Sequence, residues 1–113
     1  MLNRDNITTA DLSAVTTGEP LAPVHPGMHL LDYIEGAGIS QYRLAKSIHV
    51  PPRRINEIVH GKRSITADTA LRLGRYFRTS PQFWMNLQTA YDLALAEADI
   101  GERLNKEINP VAA

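Results

Sequence analysis

Four side chains that can bind nucleic-acid bases are concentrated near the middle of the chain. They are Arg53, Arg54, Asn56 and Glu57. Arginine and asparagine present paired hydrogen-bonding groups that match the edges of guanine and adenine, and a carboxylate can accept from the amino group of cytosine. A glutamate four residues after an arginine on a helix can instead bind that arginine and hold it in one pose. Both roles are open for Glu57, and we favour the second.

The apolar residues around this group predict the elements that position it. Between Ser40 and Thr66 the apolar positions have the spacing of two short helices that meet at a steep angle, the second carrying the four polar residues. We expect burial of Leu44, Ala45, Ile48, Val50, Ile55 and Ile58. This pattern is typical of a helix-turn-helix, which places its second helix in the major groove of DNA. Residues that flank the groove would contact phosphates: Gln41, Arg43, Lys62 and Arg63.

The rest of the chain predicts more helices and no strands. A first helix begins at Pro26, Ser40 caps a second, Thr66 caps a fourth, and Ser80 precedes a fifth that runs to about residue 100. The sequence therefore indicates an all-α, five-helix domain over residues 25–100. We expect a flexible N-terminal tail over residues 1–24 and a C-terminal tail over residues 101–113.

Charge is segregated along a chain whose formal net charge is zero. Residues 41–63 hold six bases against one acid, a net charge of +5, and residues 81–113 hold five acids against two bases, a net charge of −3. A basic cluster can be only a solvated face, but its coincidence with the helix-turn-helix pattern favours a nucleic-acid partner. With no cysteine, no signal-like segment and no membrane span, we expect a cytoplasmic protein without a cofactor.

Helix five carries more apolar residues than one core-facing stripe needs. Trp84, Leu87 and Tyr91 share one face, whereas Leu93 lies outside it. The excess predicts a dimer contact, with a broad core-facing stripe as the alternative. Helical spacing in an apolar stripe argues against these aromatic residues stacking on bases.

Two segments resemble a known family. The loop GKRSIT at residues 61–66 and the helix start SPQFWMNLQ at residues 80–88 are similar to the HigA antitoxins, within the Xre-type, phage-repressor-like class of helix-turn-helix proteins. The resemblance covers about residues 25–98. Departures from the class pattern are His49 at a turn position that is most often glycine, Pro51 at a helix cap that is usually serine or threonine, and His60 where asparagine is common.

The resemblance implies a dimer with two partners. One is a cognate RelE-like, mRNA-cleaving toxin, which the protein would bind and neutralise, and the other is the operator of its own operon, an inverted repeat that the dimer would repress. In this family Arg53 would be the principal base-contacting residue and Gln41 a phosphate contact. Because the toxin class binds RNA and should be basic, its docking surface would be the N-terminal tail or the acidic C-terminal segment.

Two other readings of the sequence compete with an antitoxin. A stand-alone Xre-type repressor without a toxin would use the same DNA-binding residues. An enzyme finds its best support in His25 and His29, which are four residues apart as in a helical metal pair, but Pro26 and Gly27 between them disfavour that geometry. No nucleophile elbow and no glycine-rich phosphate loop is present. We therefore predict neither catalysis nor a metal.

Overall fold

The computed structural model describes residues 22–112, which form five α-helices and no strand. The helices are α1 (Pro26–Ala37), α2 (Gln41–Ile48), α3 (Pro52–Val59), α4 (Ala67–Phe77) and α5 (Pro81–Glu107). The predicted all-α, five-helix fold is confirmed. The tail predicted for residues 1–24 lies outside the described residues, apart from its last three.

Local side-chain caps explain where three of the helices begin. The side chains of Ser40, Thr66 and Ser80 each accept a hydrogen bond from the backbone N–H three residues later. Such a cap satisfies one of the amides that the first turn of a helix leaves without a partner. All three caps agree with the sequence prediction, because the interaction depends only on nearby residues.

All five helices contribute buried apolar residues to one core. All six positions predicted to be buried in the helix-turn-helix are at most 7% exposed. Trp84 of α5 is completely buried, and its indole Nε1–H donates to the Thr79 hydroxyl at 2.8 Å. Tyr33 and Phe83 pack against Trp84 with ring centroids 5.1 and 5.0 Å away. Trp84 thus belongs to the core of its own chain.

A close backbone approach joins α1 to α3. Gly27 lies directly against the Ile58 carbonyl, so that a Cβ at this position would overlap the oxygen. His25 caps α1, and its Nδ1 accepts from the Gly27 N–H at 2.9 Å. Burial lowers the pKa of His25, and the charge of Asp92 offsets part of that effect. The neutral imidazole that the cap requires is therefore favoured in the folded chain.

Helix α5 continues for 27 residues, beyond the end that the sequence predicted. Residues 101–107, expected to belong to a C-terminal tail, form its last two turns. The sequence Ile100–Asn109 contains no proline, and the first helix-breaking residue is Pro110. Leu87 and Tyr91 are half-buried, whereas Leu93 is 65% exposed. Across residues 22–112, no helix has the length and apolar character needed to span a membrane.

Candidate nucleic-acid interface

The turn between α2 and α3 fixes the direction of the exposed helix. His49 ends α2 in the left-handed conformation, with φ 63° and ψ 48°, at the position where a glycine is more usual. The Val50 N–H donates to the Ala45 carbonyl at 3.0 Å, and the Val50 side chain is buried beneath the turn. Pro51 precedes α3 without a side-chain cap, as its residue type dictates.

An arginine of α4 holds this turn, and the sequence patterns did not reveal it. The Nη1 atom of Arg72 donates to the carbonyls of Ile48 and His49 at 2.9 and 3.3 Å. Its Nε atom binds Asp68 at 2.7 Å, and this contact lowers the pKa of Asp68. Arg72 therefore satisfies carbonyls at the C-terminal end of α2, where a helix has no internal donors.

The carboxylate of Glu57 joins two arginines on the exposed face of α3. Its Oε2 accepts from Arg53 Nε and its Oε1 accepts from Arg63 Nε, each at 2.8 Å. The Arg63 and Arg53 hydrogen bonds lower the pKa of Glu57, so that it stays ionised. The expected Arg53–Glu57 pair is present, whereas the contact from Arg63 was not anticipated. The side chain of Arg53 nevertheless remains 85% exposed.

Of the other predicted contact residues, some pair with side chains of this chain and others are simply exposed. Asn56 donates from Nδ2 to Gln41 Oε1 at 3.3 Å, linking α3 to the start of α2. Arg54 is partly buried and lies 3.5 Å from Asp68. Arg43 and Lys62 are exposed at the start of α2 and in the loop after α3. All eight predicted contact residues thus lie on α2, α3 or the loop that follows α3.

This loop, residues 60–66, is fastened at both ends. At its beginning Gly61 adopts φ 74°, and the Lys62 N–H donates to the Glu57 carbonyl at 2.8 Å. At its end the Ile65 side chain is buried, and the Ile65 N–H donates to Gln88 Oε1 of α5 at 2.7 Å. Gln88 is the last residue of the segment 80–88 that carries the family resemblance, but no role was predicted for it, because a single polar residue within an amphipathic helix does not show which distant group it contacts.

His25, one of the two histidines considered as a metal pair, makes other contacts within the fold. His25 uses its Nδ1 atom as the cap of α1 and packs edge-on against Tyr91, with centroids 4.9 Å apart. Among residues 22–112 no three histidine or acidic side chains come together in a way that could hold a metal. The cavity between the turn and the start of α4, about 260 Å³, is lined mainly by polar and charged groups, including Arg54, Arg63 and Arg72.

Comparison with known proteins identifies the family. Residues 30–84 match the helix-turn-helix family model. Virulence-associated protein I of Dichelobacter nodosus is 57% identical over 77 residues, which are 67% of this chain and 71% of that protein. The structure of the Pseudomonas aeruginosa antitoxin HigA with the higBA promoter is 46% identical with a TM-score of 0.76, covering 80% of this chain and 99% of that one. A HigA-family addiction module antidote protein from Coxiella burnetii is 43% identical with a TM-score of 0.76, covering 80% of this chain and 100% of that one. The resemblance seen in the sequence is confirmed, and the chain belongs to the HigA family of helix-turn-helix antitoxins.

Proposed function

We propose that this protein binds the operator of its own operon as a homodimer, represses transcription, and neutralises a cognate RelE-like toxin. The single observation that carries the DNA-binding part is the pose of Arg53. It lies in the first turn of α3, its side chain is 85% exposed, and Glu57 binds only its Nε atom. The N-terminal residues of a recognition helix are those that meet base edges.

The side chains of α3 would contact the bases. Arg53 would pair through its two terminal nitrogens with the acceptors of a guanine. Both oxygens of Glu57 are engaged by arginines, which favours its role in positioning Arg53 over direct acceptance from cytosine. Asn56, paired with Gln41, and Arg54, beside Asp68, would contact a base or the adjoining backbone.

Residues on either side of these base contacts would bind phosphates and so fix the position of α3 on the DNA. Gln41 and Arg43 lie in the first turn of α2, and Lys62 and Arg63 lie in the loop after α3. Both places flank a groove entered by α3, so we assign these four residues to phosphates. Such contacts supply affinity that depends strongly on salt and little on base sequence.

One domain contacts only a few base pairs, and a two-fold symmetric dimer would double that number. Two recognition helices about 34 Å apart would contact successive turns of the major groove, which requires an inverted repeat in the operator. Our candidates for the dimer contact lie on one face of α5: the exposed Leu95 and the half-buried Leu87 and Tyr91. Trp84 would support that helix from within the core.

Neutralisation of a toxin rests on membership of the family. The acidic residues of α5 are exposed, which suits a basic partner. They are Glu97, Asp99, Glu102 and Glu107. The alternative docking surface, the N-terminal tail, lies mostly outside the described residues. Reversing the charges of Glu97 and Glu102 with lysine should weaken toxin binding; equal affinity for the variant and the original chain would exclude the acidic face.

The proposed roles also imply a compartment and a mode of action. A repressor acts where its operator is, so we place this protein in the cytoplasm, and we assign it a binding function without catalysis. Its DNA-binding role is tested by fluorescence anisotropy with a duplex from the region upstream of its gene, against a scrambled duplex of equal length. Equal affinity for the two duplexes would contradict the proposal.

Co-expression with the neighbouring reading frame tests the toxin partner. Formation of a complex and restored growth would support an antitoxin. The alternative, a stand-alone repressor with the same α3 chemistry, predicts operator binding without a complex. The two candidates are therefore separated by the second experiment, while the first tests what they share.

A further inference from the structure

A hydrogen-bonded connection links α5 to the loop that carries Lys62 and Arg63. Gln88 is 4% exposed, and its Oε1 atom accepts from the backbone N–H of Ile65 at 2.7 Å. The Nε2 atom of the same amide donates to Asp92 Oδ1, one turn further along α5, at 3.0 Å. Because Asp92 can only accept, this second bond orients the amide with its oxygen toward Ile65.

The position of this bond matters because the two ends of the loop are held differently. The first end is fastened by backbone bonds within the C-terminal turn of α3, including Lys62 N–H to the Glu57 carbonyl. The far end depends on the buried Ile65 side chain and on Gln88, which belongs to another helix. Lys62, Arg63 and Ser64 lie exposed between these two anchors.

We infer that Gln88 is a positioning residue for operator binding, which acts by fixing the loop through which Lys62 and Arg63 reach phosphates. The inference rests on the proposed function. Without Gln88 the Ile65 N–H is buried with no acceptor, and the loop must move to let it find one. Asp92 supports the same function, because its bond to Nε2 keeps the Gln88 amide oxygen directed toward the Ile65 N–H.

The readout is the salt dependence of operator binding, because the slope of log K against log salt counts phosphate contacts at about 0.9 each. A dimer that lost both loop cations in each protomer would lose four contacts, so we expect Gln88→Met to reduce the slope by about 2 to 4. If Gln88 contributed only to stability, Gln88→Met would lower the melting temperature and the folded variant would keep the slope of the original chain. Operator preference over a scrambled duplex should persist, since Arg53 is untouched.

Thr79→Val is the matched control, because it also removes a side-chain hydrogen bond of a buried α5 residue, the one from Trp84 Nε1 to the Thr79 hydroxyl just before the helix. It should lower stability while retaining the original slope. The exposed position Asp92 gives a second test in case Gln88→Met does not fold. Asp92→Asn keeps an acceptor and should retain the slope of the original chain more fully than Asp92→Ala, although both remove the same charge.

The outcomes separate this inference from the proposed function. If the original chain shows no preference for its operator, the proposed function fails. If it binds the operator but folded Gln88→Met retains its slope, or Asp92→Ala and Asp92→Asn give equal slopes, the positioning role of Gln88 is overturned. A reduced slope for Gln88→Met together with an unchanged slope for Thr79→Val supports it.

Discussion

Replacing Arg53 with alanine should abolish operator preference without unfolding the protein. The side chain is 85% exposed and contributes one ion pair to Glu57, four residues away. An exposed pair of this kind stabilises a helix by about 0.3–0.5 kcal/mol, so the free energy of unfolding should fall by no more than that. Glu57 also keeps its bond to Arg63, which limits any rearrangement of α3.

The loss at the operator should be much larger than the loss of stability. One bidentate contact between arginine and guanine discriminates by roughly 1–3 kcal/mol. A dimer places one such arginine in each half-site, which makes about 2–6 kcal/mol in all. The ratio of operator affinity to scrambled-duplex affinity should therefore decrease by roughly 30-fold to 20,000-fold.

The assay is fluorescence anisotropy on both duplexes at one fixed salt concentration, with circular dichroism to verify the fold of each variant. Arg53→Lys is the matched variant, because it keeps the positive charge and loses the planar fork. It should bind the scrambled duplex as the original chain does and still lose operator preference. Lys62→Ala should weaken binding to both duplexes by a similar factor. An unchanged affinity ratio for folded Arg53→Ala would refute the assignment of Arg53 as the base reader.

Three further predictions concern stability. Arg72→Met removes the donors to the Ile48 and His49 carbonyls and should lower the free energy of unfolding in urea by about 1–3 kcal/mol; a value equal to that of the original chain would show that this contact contributes nothing. His49→Gly should raise that free energy by about 1 kcal/mol, because the left-handed conformation disfavours a side chain, and a lower melting temperature would contradict this reasoning. The pKa of His25 in the folded chain lies below its ordinary value of 6.5. The stabilisation that neutral His25 adds to the free energy of unfolding is therefore complete above pH 6.5 and is lost as the pH falls through the lower pKa of the folded chain. Urea titrations between pH 7.5 and pH 5 should show this loss, and it should disappear in His25→Asn, which keeps a capping side chain that does not titrate; an identical pH profile for the variant would rule out His25 as its source.

The sequence predicted much of the local architecture for a simple physical reason. Helix caps such as Ser40 and Thr66 act on amides three residues away, and apolar periodicity reports which face of a helix is buried. The left-handed conformation of His49 agrees with the class that the sequence resembles, in which this turn position is most often glycine. The end of α5 was predicted less accurately. Gly101 does not interrupt the helix, and Pro110, the first residue that strongly disfavours a helix, lies further along the chain.

The sequence by itself determined the helix-turn-helix, its buried residues and the basic character of its exposed face, since these depend on residue type and on spacing within one or two turns. Only the tertiary structure decided how that face is held. Arg72 contacts carbonyls 23 and 24 residues earlier in the chain, and Gln88 binds an amide 23 residues earlier. Such pairs form only when the crossing of packed helices brings two distant segments together, and periodicity along one segment contains no information about that crossing.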